Sequence, residues 1–431
     1  MKILLLNVHS SMNVGDEALL QSALAQLKLN FTESEFTLSL NESSSYTGGE
    51  KTLPSISSWV HPIDERGTVR WRYGRLLGLL PATLIPVLSW RWLKRAIYWL
   101  TPPALRLILS GYLDADLVIG TPGGYLYSSG RGINFLVVMY AILLGVLAGK
   151  PVYLLPQSIG PIKRRWEGWL LRRLLDRVRM VMVREHLSYQ LVQQCKVRKP
   201  QVYLVPDMAF TLPEAAQEEA DVWLAAQGIA PLEKRPRLGI TLVNWVAQNK
   251  NFTRQEVYEQ ACAAAARWFI ERQHGRVILF PQVWGPTEDQ DDRIPAKRLV
   301  EQLPELAESI HLISNPLPPA LIKTVYGKMD LFIGTRMHSN IFALSEGVPV
   351  IAIGYQYKTR GIAEMAGMGD WVIEIQDVDE TLLVTRLEAL WEKRLKIREQ
   401  LHRTIPGIIE QARRAGSLVQ QDYNRIRLSS R

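Results

Sequence analysis

The chain has 431 residues, of which 47% are hydrophobic and 22% charged, and it carries a formal net charge of +9. That length serves two ordinary α/β domains, each with its own core, and the composition excludes a disordered chain. Its two cysteines, Cys195 and Cys262, have neither a pairing pattern nor metal-ligand spacing, so no disulfide framework, zinc site or other metal site is expected.

Residues 2–6 form an aliphatic run that reads as a buried parallel strand. The run is too short for a signal peptide, and with the cysteine usage it points to a reducing, cytoplasmic protein. The loop Asn13-Val14-Gly15-Asp16-Glu17-Ala18 follows, and then Leu19, Leu20, Ala23, Leu24 and Leu27 at helical spacing. Strand, glycine-bearing loop and helix are the usual opening of a doubly wound domain, with the loop at the binding crevice. Asp16 and Glu17 also suit a helix start for purely electrostatic reasons. His9 is ambiguous, and the loop lacks the glycine-rich fingerprint of a dinucleotide site.

Residues 41–50, rich in serine and glycine, read as a loop. Residues 66–112 then form a basic, aromatic and apolar insertion. It holds Arg66, Arg70, Arg72, Arg75, Arg91, Lys94, Arg95 and Arg106 without one acidic residue, interleaved with Trp71, Tyr73, Trp90, Trp92, Tyr98 and Trp99. Its longest apolar run, 76–90, is broken by Pro81 and Pro86 and falls short of the roughly 20 residues that span a bilayer. Cations and tryptophans beside such a run fit peripheral contact with a membrane interface; a helical insertion packed on the first domain is the alternative. The apolar run argues against nucleic acid.

The α/β alternation resumes with a strand at 116–120 and the loop Thr121-Pro122-Gly123-Gly124, whose glycines allow close backbone approach. An apolar helix at 135–147 and a strand at 151–155 lead to Gln157 in Pro156-Gln157-Ser158-Ile159-Gly160-Pro161. A basic amphipathic helix at 163–177, a strand at 180–183 ending at Arg184, and a strand at 202–205 ending at Pro206-Asp207 complete a first domain, 1–232. Gln157 and Arg184 follow strands and are crevice candidates, while Asp207 suits a ligand hydroxyl or a cap.

The second domain, 233–405, has strands at 237–242, 276–280 and 310–313, a helix at 255–272, and the loop Pro281-Gln282-Val283-Trp284. A strand at 330–333 then gives Gly334-Thr335-Arg336-Met337-His338-Ser339, a helix, a strand at 348–353, and Lys358. That loop falls at the carboxyl end of a strand and the start of a helix, where open α/β sheets bind ligands and free amides favour anions. Arg336, Lys358 and a histidine able to exchange protons near neutral pH make a cationic pocket for phosphate or carboxylate. Helices near 379–396 and a C-terminal helix within 406–431 close the chain. The fold class is α/β, with two doubly wound, Rossmann-like domains facing a cleft.

Asn13 to Ala18, Gly123-Gly124-Tyr125-Leu126, Pro156 to Pro161, Arg184-Glu185 with Ser188, Pro206-Asp207, and Gly334 to Ser339 with Lys358 resemble, in that order, the polysaccharide pyruvyl transferase family. The glycine run differs, with Thr121-Pro122 standing before Gly123-Gly124. The resemblance implies a glycosyltransferase B-like architecture and transfer of a pyruvyl group from phosphoenolpyruvate to a saccharide of an envelope or exopolysaccharide precursor, as a ketal. It implies His338 as general acid, with Arg184, Arg336 and Lys358 holding the donor's carboxylate and phosphate in an order it leaves open. Ser339, Asn13, Gly15, Asp16, Gly123, Gly124, Gln157, Asp207 and Gln282 would line the substrates. Phosphoenolpyruvate would be co-substrate, with no cofactor, and some relatives' lipid-linked acceptors would suit the insertion. The other readings are a nucleotide-sugar glycosyltransferase and a non-catalytic membrane-associated binding protein.

Overall fold

The structure, a computed structural model, describes residues 1–8, 12–42, 46–60, 73–93, 101–128, 133–229, 235–249, 251–285, 290–355 and 357–429, with the side chains of 78–88 within the stretch 73–93. The chain divides into two compact units. One comprises residues 1–11, 19–208 and 411–431, the other residues 12–18 and 209–410.

In chain order the first unit contributes β1 (Lys2–Val8), α1 (Val14–Asn30) from Leu19 onward, β2 (Glu35–Leu40), β3 (Lys51–Pro54), α2 (Ile56–Val60), α3 (Tyr73–Leu93), α4 (Pro103–Asp114), β4 (Leu117–Gly120), β5 (Gly123–Leu126), α5 (Ile133–Leu147), β6 (Val152–Ile159), α6 (Arg165–Leu175), β7 (Met180–Val183), α7 (His186–Gln194) and β8 (Gln201–Leu204). Among the described residues its strands form one parallel sheet in the order β3-β2-β1-β4-β6-β7-β8, with β5 also paired to β6. The order reverses between β1 and β4, which is the topological switch of a doubly wound sheet. Strands buried on both faces need aliphatic side chains at every position, which is why β1, β4 and β7 read as continuous hydrophobic runs.

One sheet face presents Leu4, Leu6, Val118, Leu154, Val181 and Val183 to α2, α3, α4, α5 and α6. Residues 411–429 of the last helix belong to this unit too. Asp422 there accepts from the Tyr153 hydroxyl at 2.9 Å and from the Arg179 guanidinium at 3.0 and 3.1 Å, and Gln26 of α1 donates to Ala412 O.

The second unit contains α8 (Gln217–Ala226), β9 (Arg237–Thr241), α9 (Trp245–Gln248), α10 (Gln255–Gln273), β10 (Arg276–Leu279), α11 (Arg293–Glu301), β11 (Ile310–Leu312), α12 (Pro319–Gly327), β12 (Leu331–Gly334), α13 (Met337–Ser345), β13 (Val350–Gly354), α14 (Tyr357–Met365), β14 (Val372–Glu374) and the start of α15 (Glu380–Ser429). Its described strands form a parallel sheet, β11-β10-β9-β12-β13-β14, whose order reverses between β9 and β12.

The expected α/β class with two doubly wound sheets is what the chain contains; the boundaries differ. The first divide falls at Met208 and not near residue 232. Lys323 of α12 is buried and donates to Leu212 O at 2.9 Å, and Ala215 N donates to Thr324 Oγ1 at 3.0 Å, so residues 212–215 are fastened to the second unit. The C-terminal helix is not a separate segment starting at residue 406. Buried Leu401, Ile405, Ile408, Ala412, Ala415 and Val419 keep one stripe at intervals of three and four straight through Pro406. The leucine, isoleucines and valine of this stripe contribute about 1.5–3 kcal/mol each on burial, which outweighs the roughly 3 kcal/mol an interior proline costs.

Part of the basic insertion lies outside the described residues, including Arg66, Arg70, Trp71, Arg72, Lys94, Arg95, Tyr98 and Trp99; so does His9. The described part consists of α3 and α4, which bury Leu79, Val87, Leu105, Ile108, Leu109 and Tyr112 in the first unit's core. No helix of the described residues is long and apolar enough to cross a membrane.

Candidate active site

The carboxyl end of β12 lies at the topological switch of the second sheet. Thr335 there donates its amide to Thr241 Oγ1 at 3.1 Å, across from the end of β9. Its hydroxyl is 2.8 Å from the buried Tyr258 hydroxyl. Ser339 Oγ donates to Arg336 O at 2.6 Å, which leaves the Thr241 hydroxyl as donor in the 2.9 Å bond to Ser339. Ser339 is therefore buried and holds the loop in shape. Gly334 is required by contact: a Cβ there would stand 1.7 Å from Oδ1 of the buried Asn340.

Arg336, at the amino end of α13, is fixed by a residue that sequence reasoning missed. Its Nε and Nη2 donate to Asp292 at 3.0 and 2.5 Å, and Asp292 also accepts from the amides of Gln282 and Val283 at 3.1 and 3.0 Å. Burial pushes the Asp292 carboxyl above its ordinary value, against the pull of the guanidinium and both amides. Burial works to lower Arg336, yet the charge of Asp292 and a hydrogen bond with Tyr355 outweigh it and hold the guanidinium above its usual value. The pair is thus a fixed ion pair. The signal that could have exposed Asp292 is its place in an acidic pair, Asp291-Asp292, shortly after the strand that ends before Gln282.

Gln282 is buried and donates to Tyr326 Oη at 2.6 Å. The backbone around it receives the amino-terminal motif. Val14 N donates to Gln282 O at 3.1 Å, Trp284 N donates to Met12 O at 3.3 Å, and Asn13 pairs with Val283 in an antiparallel bridge. Asn13 Oδ1 accepts from the Gly15 amide at 3.0 Å. The consequence is that Gly15 packs on the catalytic candidate: a Cβ there would stand 2.1 Å from His338 Nδ1. His338 is half-buried in the first turn of α13, with its Nε2 atom enclosed. Asp16 is half-buried in the first turn of α1, and Lys358 is half-buried on α14, three residues after Tyr355.

Asn13, Gly15, Gln282, Arg336, His338 and Ser339 are therefore gathered in one unit, although more than three hundred residues separate the first from the last. Gly123, Gly124, Gln157, Arg184 and Asp207 belong to the other. Gly123 pairs in register with Gln157, whose amide donates to the Tyr125 hydroxyl at 2.6 Å and to Thr121 O at 3.3 Å. Arg184 is only 1% exposed; it donates to Asp207 at 2.5 Å and to Ser158 at 2.7 Å. Ser158 in turn donates to Glu185 at 3.0 Å, and Glu185 also accepts from Ser188. These groups form an internally bonded network at the ends of β6, β7 and β8.

Two parallel α/β sheets with polar loops at their switch points define the glycosyltransferase B type of architecture. Solved structures of similar fold include the UDP-GlcNAc 2-epimerase from Neisseria meningitidis bound to UDP-GlcNAc (TM-score 0.59, 10% identity, covering 99% of this chain and 100% of that one). HepE from Anabaena in complex with UDP is another, with a TM-score of 0.56 at 14% identity and full coverage of both chains. The particular family follows from the sequence: the polysaccharide pyruvyl transferase family matches residues 13–357, and the chain belongs to it. The amylovoran biosynthesis protein AmsJ of Erwinia amylovora is 22% identical over 442 residues, covering 98% of this chain and 99% of AmsJ. Family and relative together place the chain among transferases with a role in polysaccharide biosynthesis.

Proposed function

We propose that this protein transfers a pyruvyl group from phosphoenolpyruvate to a sugar of an envelope or exopolysaccharide precursor, forming a ketal and releasing phosphate, and that it meets its acceptor at the cytoplasmic face of the membrane. The observation that carries the reading is the junction of His338 with Gly15 and of Arg336 with Asp292 around one strand end.

In this reading the His338 imidazolium protonates the methylene carbon of the donor, which becomes a methyl group, and the electron deficiency passes to the neighbouring carbon as an oxocarbenium-like centre. One sugar hydroxyl attacks that centre. A second displaces phosphate, and of the two hydroxyl protons one reloads the imidazole while the other leaves with phosphate. The step balances without a metal or redox group.

Arg336, oriented by Asp292 through Nε and Nη2, and Lys358 are the two cations that meet the donor's anionic groups in this reading. Arg184, enclosed with Asp207, serves this chemistry by holding the strand ends of its own unit. Phosphate release from phosphoenolpyruvate with an extract of lipid-linked saccharides, followed by mass analysis for a pyruvyl adduct, tests the reading. His338→Ala should lower turnover by about 10²–10⁴-fold while donor binding by calorimetry persists. Unchanged turnover, or no adduct with any extract, would sink it.

A further inference from the structure

The first unit exposes apolar and aromatic side chains on helices that otherwise pack on its core. Helices α3, α5 and α6 pack on the same sheet face, and α5 touches both of the others. The Thr83 hydroxyl of α3 is 2.5 Å from the Tyr140 hydroxyl of α5. On α3, Leu80, Ile85 and Leu88 are each about half exposed, and Pro81 lies with them on one stripe. On α5 no residue is charged, and Ile133, Leu136, Tyr140, Leu143 and Leu147 recur at intervals of three and four, partly buried against the core and partly open.

On α6 the surface changes character. That helix buries Leu171, Leu174 and Leu175, yet leaves Trp166 and Trp169 exposed at 45% and 54%. Trp166, Trp169 and Arg173 stand at i, i+3 and i+7, one face of the helix. The Arg173 guanidinium sits 5.1 Å from the Trp169 ring. Lys163, Arg164, Arg165 and Arg177 are exposed around them. The helix's one acidic residue, Glu167, is buried and accepts from the Arg164 amide at 2.9 Å. The exposed charges of residues 163–175 are thus all positive.

We propose that the face formed by α3, α5 and α6 docks on a bilayer containing anionic phospholipid, with Trp166 and Trp169 at headgroup depth and the surrounding cations over the lipid phosphates. A charge-free apolar strip bordered by tryptophans and arginines matches the layering of such an interface, where aromatic rings with a polar edge sit between acyl chains and water. Charge selects the lipid class, because an excess of cations gains from a negative surface and nothing from a zwitterionic one. This deepens the membrane-face part of the proposed function and rests on it. It stands apart from the transfer chemistry, because vesicle binding requires neither donor nor turnover.

Co-sedimentation of the full chain with vesicles of phosphatidylglycerol, or of phosphatidylcholine alone, tests it. The expected result is binding to the anionic vesicles only, weakened by salt, and reduced by about tenfold in Trp166→Ser/Trp169→Ser and in Arg165→Glu/Arg173→Glu. Arg403→Glu, an exposed change in the other unit, should bind like the parent. Because these side chains lie outside the core, unchanged circular dichroism and thermal midpoint would confirm folded variants. Absence of anionic preference, or equal binding by the tryptophan variant, would overturn the proposal. So would light scattering that showed this face joining two copies of the chain, with a dimer that the tryptophan variant splits and no vesicle binding by either form. Phosphate release with a water-soluble saccharide acceptor should be the same in all these variants, which separates a failure of docking from a failure of catalysis.

Discussion

Arg184 with Asp207 and Arg336 with Asp292 are the same chemical pair, each at the end of a parallel strand, each with a shortest contact of 2.5 Å. Their surroundings differ. The first arginine is 1% exposed and closed in by the Ser158 hydroxyl and a second carboxylate, Glu185; the second is 13% exposed, held by its aspartate and hydrogen-bonded with Tyr355. An almost fully buried pair, closed in by Ser158 and Glu185, is a scaffold, whereas a pair whose guanidinium stays partly exposed can still meet a ligand. An arginine in a motif is therefore not by itself a ligand contact.

Substitutions can break that contrast. Arg184→Ala leaves Asp207 enclosed without its cation and should cost the first unit about 3–5 kcal/mol, read as an earlier urea transition; a fully stable variant would show that the network is dispensable. Gly15→Ala acts on the other pair's neighbourhood: its Cβ would stand 2.1, 2.6 and 2.9 Å from Nδ1, Cγ and Cβ of His338, so it should cost about 1–3 kcal/mol of stability as well as rate. Its new methyl group displaces the imidazole, and kcat should fall by about 10²-fold. Turnover equal to the parent would mean that the imidazole's position is unimportant.

A third cation set extends the comparison. Lys323 lies 3.6 Å from Glu346 and 3.5 Å from Glu214, and burial, opposed by Lys323 and aided by Glu214, pushes the Glu346 carboxyl up to about 7 from its ordinary 4.5. Between those values the folded state keeps a proton that the unfolded chain has lost. Stability therefore falls as pH rises through that window, and Glu346→Gln should remove about 2 kcal/mol of the fall between pH 5 and pH 8. Parallel pH profiles for both proteins would refute it. Arg336→Lys is the mildest change: the charge stays but the fork is lost, so donor affinity should weaken about tenfold while the urea midpoint moves less than in Arg184→Ala. Equal affinity would remove the fork from donor recognition.

Much of this was legible in the residues. The strand at Met180–Val183 and the strand-loop-helix around His338 follow from uninterrupted aliphatic runs ending in polar loops. Strands β2 and β3 were not foreseen, because Glu35–Leu40 mixes polar and apolar side chains and Lys51–Pro54 adjoins a serine- and glycine-rich stretch. Pro406 hid the continuity of α15, since a local breaker is visible in sequence and the stripe that overrides it is only visible once packed. The site was half legible. His338 and Arg336 stood out by type and position, while Asp292 sat in a run of charges that ordinarily means solvent. Nor could spacing reveal that residues 12–18 join the unit that holds His338; hydrogen bonds to Gln282 and Trp284 decide it.

The return of α15 to the first unit bears on the order in which a ribosome would deliver this protein. The sheet of that unit is synthesised by residue 208, yet Tyr153 and Arg179 acquire their partner only when Asp422 emerges. Neither unit is a continuous stretch of polypeptide, so a fragment cut at residue 208 carries a sheet with one cover missing. Half-length expression products are accordingly expected to aggregate, with the early-made sheet waiting for its closing helix until translation of residues 411–429 is finished.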